Sequence, residues 1–303
     1  MVVTAMDWTA NGRKVLLRNV KEFRAYAPSL ANSSEHTLNI LTIGERGSGK
    51  SSYLNAMLST VRQRLTELFH AAPSAGDVTT KQSNLSLEPF GLKMGIRDVP
   101  GWTSSSNWPT YMRLLRCIIS GRTRDQEDLL PLTEDLLLRL EARPAASFEH
   151  QIHCIVILRS IEDDRPAFVE KVTSIVQEFD TRVPVMVLLT KVDTKLAANA
   201  TLENVHAMED FEGARLKLAK DVCIEANRVL PLASYGGGVS YPNIHVEILV
   251  LSALQRAQAL AEKALQVRGL ALQRLASEAG PSAQAAAGTV PTPGSAGSSA
   301  QTC

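Results

Sequence analysis

The chain is poor in several features at once, and each scarcity removes a class of protein. Its cysteines, Cys117, Cys154, Cys223 and Cys303, stand far apart and make none of the short-spaced pairs that hold zinc or build a disulfide framework. Cys154 lies inside an apolar run and reads as a reduced core residue, which points to a reducing compartment and a cytoplasmic location. No apolar stretch approaches the ~18 residues that a membrane-spanning helix needs, so no transmembrane segment is expected. Lys and Arg number 32 against 31 Asp and Glu, and this balance, with no basic stripe, gives no field to gather nucleic acid or acidic lipid. The first eight residues lack a secretory pattern, Val2 argues against myristoylation, and Gln301-Thr302-Cys303 is no prenylation box. The six histidines, His36, His70, His150, His153, His206 and His245, form no motif.

What remains is a chain that can build a sizeable core, with 45% hydrophobic residues. Apolar strand candidates fall at 37–43, 83–90, 92–98, 152–159, 184–190 and 245–251. Helix-like stretches lie between and after them at 51–69, 108–119, 126–142, 165–178, 201–229 and 253–275. In the first helix Leu54, Met57, Leu58, Val61, Leu65 and Leu68 share one face. Alternation of this kind predicts an α/β fold, a mostly parallel sheet flanked by helices on both faces. Residues 1–36 carry Trp8, Val15, Leu16, Val20, Phe23, Tyr26 and Leu30 at roughly helical intervals, as an N-terminal helical extension. The main domain spans 37–276. Residues 277–303 are almost all Ala, Gly, Ser, Pro, Thr and Gln, and are expected to be a disordered tail.

The strongest motif follows the first strand. Gly44-Glu45-Arg46-Gly47-Ser48-Gly49-Lys50-Ser51 matches G-x-x-x-x-G-K-[ST], between a strand and a helix, where a phosphate-binding loop belongs. Gly44, Gly47 and Gly49 let the backbone curl so that the amides around Ser48 and up to Ser52 face inward as an anion nest. The helix N-terminus adds partial positive charge. Lys50 can reach the β- and γ-phosphates and act in phosphoryl chemistry, and the Ser51 hydroxyl can ligate Mg²⁺. A bare glycine-rich turn is the plain alternative.

Later motifs choose the base. Asp98-Val99-Pro100-Gly101 ends a strand, so Asp98 can hold Mg²⁺ through water and the Gly101 amide can bond the γ-phosphate, although Asp before Pro-Gly is also a common turn. Thr190-Lys191-Val192-Asp193 fits the [NT]-K-x-D guanine reader. Asp193 would accept from two adjacent N–H donors on guanine, where adenine offers a repelling lone pair, and the Lys191 stem can cover the base plane. A solvated turn is the alternative. Ser252 and Ala253, in Ser252-Ala253-Leu254 after the candidate strand 245–251, are small enough to let a backbone N–H reach the guanine O6. Thr79 and Thr80 stand where a switch threonine belongs, and Thr80 is preferred as the contact to Mg²⁺ and γ-phosphate.

The order of phosphate loop, switch threonine, D-x-P-G, TKVD and SAL matches a guanine-nucleotide-binding P-loop G domain. The chain further resembles the interferon-induced protein 44 family. The likeness is carried by Trp8, Tyr26-Ala27-Pro28, Lys50-Ser51-Ser52-Tyr53-Leu54-Asn55, Ile152-His153-Cys154, Leu188–Asp193, Ser234-Tyr235 and Ile248–Leu254. It runs from about Trp8 to Arg256. The resemblance implies a cytoplasmic GTP- and GDP-binding protein with Mg²⁺, acting where family members act, in innate antiviral or antiproliferative responses.

Hydrolysis is harder to read. Trp102 occupies the place after Gly101 where many GTPases carry a water-orienting Gln, which predicts slow turnover, with its indole covering the loop or a partner surface. Arg46 sits within the loop, where its guanidinium could approach the γ-phosphate as a finger in cis or trans, or simply face solvent. A homodimer or an effector protein is the partner class left open. The segment 125–141, interrupted at Pro131, resembles an amphipathic helix pair, and Gly236-Gly237-Gly238 a flexible loop near the base. Three readings compete: a GTPase-type switch, a non-catalytic GTP- or GDP-binding scaffold, and an ATP-using P-loop enzyme.

Overall fold

Six strands form one sheet in the order β2-β3-β1-β4-β5-β6, with β2 antiparallel to β3 and every other pairing parallel. The computed structural model describes residues 9–21, 37–66, 68, 80–103, 105–147, 150–163, 165–195, 202, 205, 209–235 and 242–278, the side chains of 21, 210 and 269–278 excepted. The strands are β1 (Leu38–Gly44), β2 (Ser83–Ser86), β3 (Met94–Asp98), β4 (Cys154–Ser160), β5 (Val185–Thr190) and β6 (Val229–Pro231). The central strands are mostly buried because helices cover them on both sides: β5 is buried at all six positions. Polar β2 sits at the edge, as does three-residue β6, whose terminal Pro231 has no N–H to offer a further neighbour.

The expected α/β architecture with a mostly parallel sheet is the one observed. Its helices are α1 (Ala10–Lys21), α2 (Lys50–Arg62), α3 (Trp108–Ile119), α4 (Glu134–Glu141), α5 (Pro166–Phe179), α6 (Glu209–Asp221) and α7 (Ile244–Glu278). From β1 the chain moves outward to β2 and β3, then returns across β1 to β4 and continues the other way. That reversal opens a crevice at the carboxyl end of β1, the place where open α/β sheets take ligands. Right-handed crossovers in the two directions place α2 on one face and α3, α5 and α6 on the other. The helix α7 packs beside α2 and against β1 and β4, and α1 lies along α7. The Arg13 guanidinium pairs there with buried Glu247.

Several expected elements are corrected. The candidate strand 245–251 is the first two turns of α7. The Asn243 side chain caps this helix by accepting from the His245 and Val246 amides. Buried Val246, Leu249, Val250, Ala253, Leu254 and Ala257 then recur at helical spacing. The sixth strand is instead β6, which begins at the last residue of what reads as a helix at 201–229. The helix expected at 51–69 stops at Arg62, because Gln63 turns left-handed at φ 55°. The expected helix pair at 125–141 is one helix, α4, capped by Thr133. The residues before α4 pair instead with the approach to β2: the Gln82 amide donates to Glu127 O, and Leu129 N to Thr80 O. Among the described residues no helix is long and apolar enough to cross a membrane. The tail beyond 278, Thr79, Trp8, Tyr26-Ala27-Pro28 and Gly236-Gly237-Gly238 lie outside the described residues.

Candidate nucleotide-binding cleft

Gly44 ends β1 beside Leu158 of β4, and the chain then turns through Glu45–Ser48, whose amide at Ser48 donates to Glu45 O at 3.1 Å. Gly49 caps α2 at φ 93°, a left-handed conformation that favours glycine, and no side chain caps the first turn. The leading amides of α2 are therefore open to an anion. Lys50, 8% exposed, donates its ammonium to Gly44 O and Glu45 O, both at 3.2 Å. Burial lowers its pKa, while the charges of Asp98 and Glu45 oppose that shift.

Asp98 stands opposite Thr42 in the β1–β3 register and is 2% exposed. Its Oδ1, the Thr42 hydroxyl and the Ser48 hydroxyl are buried without hydrogen-bond partners. Burial pushes the Asp98 carboxyl up to about 6, with Lys50 and a backbone hydrogen bond at Val99 pulling the other way. An orphaned, destabilised carboxylate within electrostatic reach of Lys50, the residue before Ser51, is a hard-oxygen donor of the kind Mg²⁺ takes. Among the described residues there is no cluster of three His, Cys, Asp or Glu.

The shift has a sign that can be tested. A carboxyl whose folded pKa is raised binds protons more tightly in the folded state, so its contribution to stability declines as pH rises from about 4 towards 6. Cation binding runs the other way, because it needs the carboxylate. The Mg²⁺-dependent part of nucleotide affinity is expected to hold above pH ~6 and to fall about tenfold per pH unit below it, measured by titration across pH. A flat profile from pH ~7 to ~5 removes Asp98 from the cation site.

At the end of β5, the Thr190 hydroxyl donates to Ser48 O at 2.8 Å, and so straps this strand to the phosphate loop. Lys191 follows in a left-handed conformation at φ 59° and pairs with Glu162 at 3.7 Å. Asp193 is half-buried; burial raises its carboxyl pKa, and the charge of Glu162 adds to the shift. A cleft of about 390 Å³ is lined by Gly49, Ser52, Thr190, Lys191 and Asp193, together with Ala233 and Ser234. The structure thus brings the phosphate loop and the Thr-Lys-x-Asp segment to one cavity.

Ser252 and Ala253 are not there. The Ser252 hydroxyl donates to Ile248 O within α7, and Ala253 is buried in the core. The position they were expected to fill, the exit of the last strand, belongs to Leu232-Ala233-Ser234 after β6, tied to β5 by Leu232 N donating to Leu189 O at 2.8 Å. The run Val229-Leu230-Pro231-Leu232 followed by two small residues was the available signal.

Thr80 is exposed, its carbonyl held by Leu129, and it lines neither cleft at the loop. Arg46 is exposed on the rim of a neighbouring 440 Å³ cleft beside Gly47 and Ser48. Gly101 packs so tightly that a Cβ would sit 2.5 Å from the Lys50 Nζ and 2.8 Å from Gly44 O. Trp102 is buried rather than facing a partner surface. Its side chain is 1% exposed, set edge-on to Trp108 and Tyr111 with ring centroids 5.6 Å away. Its carbonyl accepts from Arg46 N at 2.8 Å, which binds the post-Gly101 segment to the phosphate loop.

Sequence reading missed a charge cluster at this loop. Arg165 grips Asp163 through two hydrogen bonds of 2.8 Å and reaches Glu45, inside the loop, at 2.6 Å. Glu45 is an acidic side chain in a loop shaped for anions, and Arg165 offsets it. Because Arg165 is largely exposed, the effect is modest. Arg165→Ala is expected to weaken nucleotide triphosphate binding about two- to fivefold, and Glu45→Gln in that background to restore it, in a double-mutant cycle read by calorimetry. Additive effects of the two changes would sever the link.

No protein-family model matches the chain, and no curated protein matches it. Among solved structures it is similar to a probable GTP-binding protein EngB, at 15% identity and TM-score 0.36 over 64% of this chain and 88% of that one. It is also similar to LeoA, a bacterial dynamin GTPase from ETEC, at 14% identity and TM-score 0.42 over 79% of this chain. The match spans 40% of LeoA.

Proposed function

We propose that the chain binds GTP and GDP with Mg²⁺ as a P-loop G domain over 37–276, carrying α1 as an extension. One observation carries the reading: Asp193 and the loop ending in Gly49 line the same cavity, with strapping by Thr190. The amides of Ser48 to Ser52 and the Lys50 ammonium hold the phosphates. Asp193 accepts from the guanine edge, the Lys191 stem covers the ring, and the backbone near Ala233 and Ser234 meets O6. Ser51 and Asp98 would hold Mg²⁺, which would supply neutralising charge to the phosphates.

Hydrolysis on this reading is slow. The side chain after Gly101 is a buried indole with no acceptor for water, and Thr80 lines neither cleft at the loop. Turnover below ~1 s⁻¹ is expected for the purified chain, from phosphate release with Lys50→Ala as the blank. Faster release by the monomer overturns the slow-switch reading; none at all favours a nucleotide-binding scaffold. A second protomer or an effector that supplies the water-placing group fits the exposed loop rim at Arg46. A cytoplasmic role in antiviral or antiproliferative response rests on the motif resemblance alone. Competition of labelled GTP by unlabelled GTP and ATP tests the base, and equal competition by ATP replaces the guanine reading with that of an ATP-using enzyme.

A further inference from the structure

A cavity of about 670 Å³ lies at the other end of the sheet, below the starts of β4 and β5. The far ends of α3 and α5 meet α7 around it. Four guanidiniums line it, from Arg116, Arg122, Arg182 and Arg268, with two carboxylates, Glu141 and Glu178. Beneath them Cys117, Phe179 and Val183 give a buried apolar floor.

Both carboxylates are already engaged. Arg116 holds Glu178, and Arg113 from outside the lining holds Glu141 through hydrogen bonds of 2.8 and 2.7 Å. Arg122 donates to Glu141 O at 2.7 Å, and Arg268 donates to Arg182 O at 2.5 Å. The Arg122 Nε–H is buried with no acceptor. Burial disfavours the Arg268 cation, and Arg182 adds to that by repulsion.

Helix capping does not account for this charge. The last carbonyls of α3 are taken by backbone donors: Arg116 O by Ser120 N, Cys117 O by Arg122 N, Ile118 O by Gly121 N and Ile119 O by Ile152 N. In α5, Phe179 O accepts from Arg182 N and Val183 N. Allowing about half a negative charge for each helix end still leaves a surplus of about one positive charge. The volume falls in the range of pockets that take small ligands.

We propose that this cavity binds a small organic anion, one carboxylate or phosphate group on an apolar body. The anionic group meets Arg122 and Arg182, and the body lies on Phe179 and Val183. The site is separate from the nucleotide cleft and does not depend on what that cleft binds.

The test titrates the full chain with 1-naphthoate and 1-naphthyl phosphate, using 1-naphthylmethanol, acetate and inorganic phosphate as controls. Saturable binding with Kd below ~1 mM is expected for one of the two aromatic anions, and its identity decides between carboxylate and phosphate. Each control should bind at least about tenfold more weakly. Arg182→Ala removes a solvent-exposed side chain and should weaken the anion about tenfold while leaving labelled-GTP binding unchanged. Arg122→Ala should do the same and serves as the second variant. Three results overturn the proposal: neither anion saturates, the neutral alcohol binds equally well, or both folded variants bind as the parent chain does. None of these touches the guanine reading.

Discussion

Asp193→Asn is expected to lower GTP affinity by about a hundredfold or more and to admit xanthosine triphosphate in its place. The carboxylate presents two acceptors to the N1–H and N2–H₂ donors of guanine. An amide keeps one acceptor and turns an N–H donor towards the other, leaving donor against donor in a half-buried site. A hydrogen bond to a charged group contributes about 1.5–3 kcal/mol, and leaving a partner unsatisfied costs a similar amount, which sets the hundredfold scale. Xanthine carries a carbonyl where guanine carries its amino group, so the asparagine amide would regain a partner. Displacement of labelled GTP by both nucleotides reads the outcome. Unchanged GTP affinity in a folded Asp193→Asn chain removes the residue from base recognition.

Lys50→Ala should abolish most nucleotide binding, by about a hundredfold at the least. Charge-assisted bonds from one ammonium to two phosphates are among the strong interactions available, and the water-poor setting of Lys50 strengthens them. The same change deprives Asp98 of its cation, so the Asp98 carboxyl should titrate at still higher pH than in the parent chain. A shift of the pH profile for Mg²⁺ dependence towards alkaline, seen in whatever binding survives, would separate this electrostatic effect from a simple lost contact. Full retention of GTP binding, with thermal unfolding showing a folded chain, contradicts the role.

Both predictions rest on residues that could be read without coordinates, and the reason is local. A left-handed glycine, a leading helix amide and a lysine at fixed spacing make the phosphate loop within eight residues, so the motif is nearly its own structure. Asp98 and Thr190-Lys191-Val192-Asp193 can be singled out because each stands at the end of a strand candidate, and the carboxyl ends of parallel strands lie along one edge of the sheet. Long-range features were not legible. The apolar run at 246–251 is equally good as a buried strand or a buried helix, and only the Asn243 cap and the packing against β1 and β4 decide. β6 is only three residues long and starts where the helical pattern of 201–229 ends, so its pattern is too short to mark a strand whose exit carries Ala233 and Ser234. The Arg165–Glu45 pair joins residues 120 apart in sequence, which no periodicity reports. The presence of an indole after Gly101 is plain from the sequence, but its burial against Trp108, Tyr111 and Phe168 depends on α3 and α5 meeting over it.

Calorimetric titration of the full chain with Mg²⁺ and either GTP or ATP tests the central claim most directly. The account expects saturable heat with GTP and GDP and an ATP affinity at least about a hundredfold weaker, since adenine sets a lone pair against Asp193 where guanine sets a donor. Equal affinity for ATP, or no binding of guanosine phosphates by the folded chain, contradicts it.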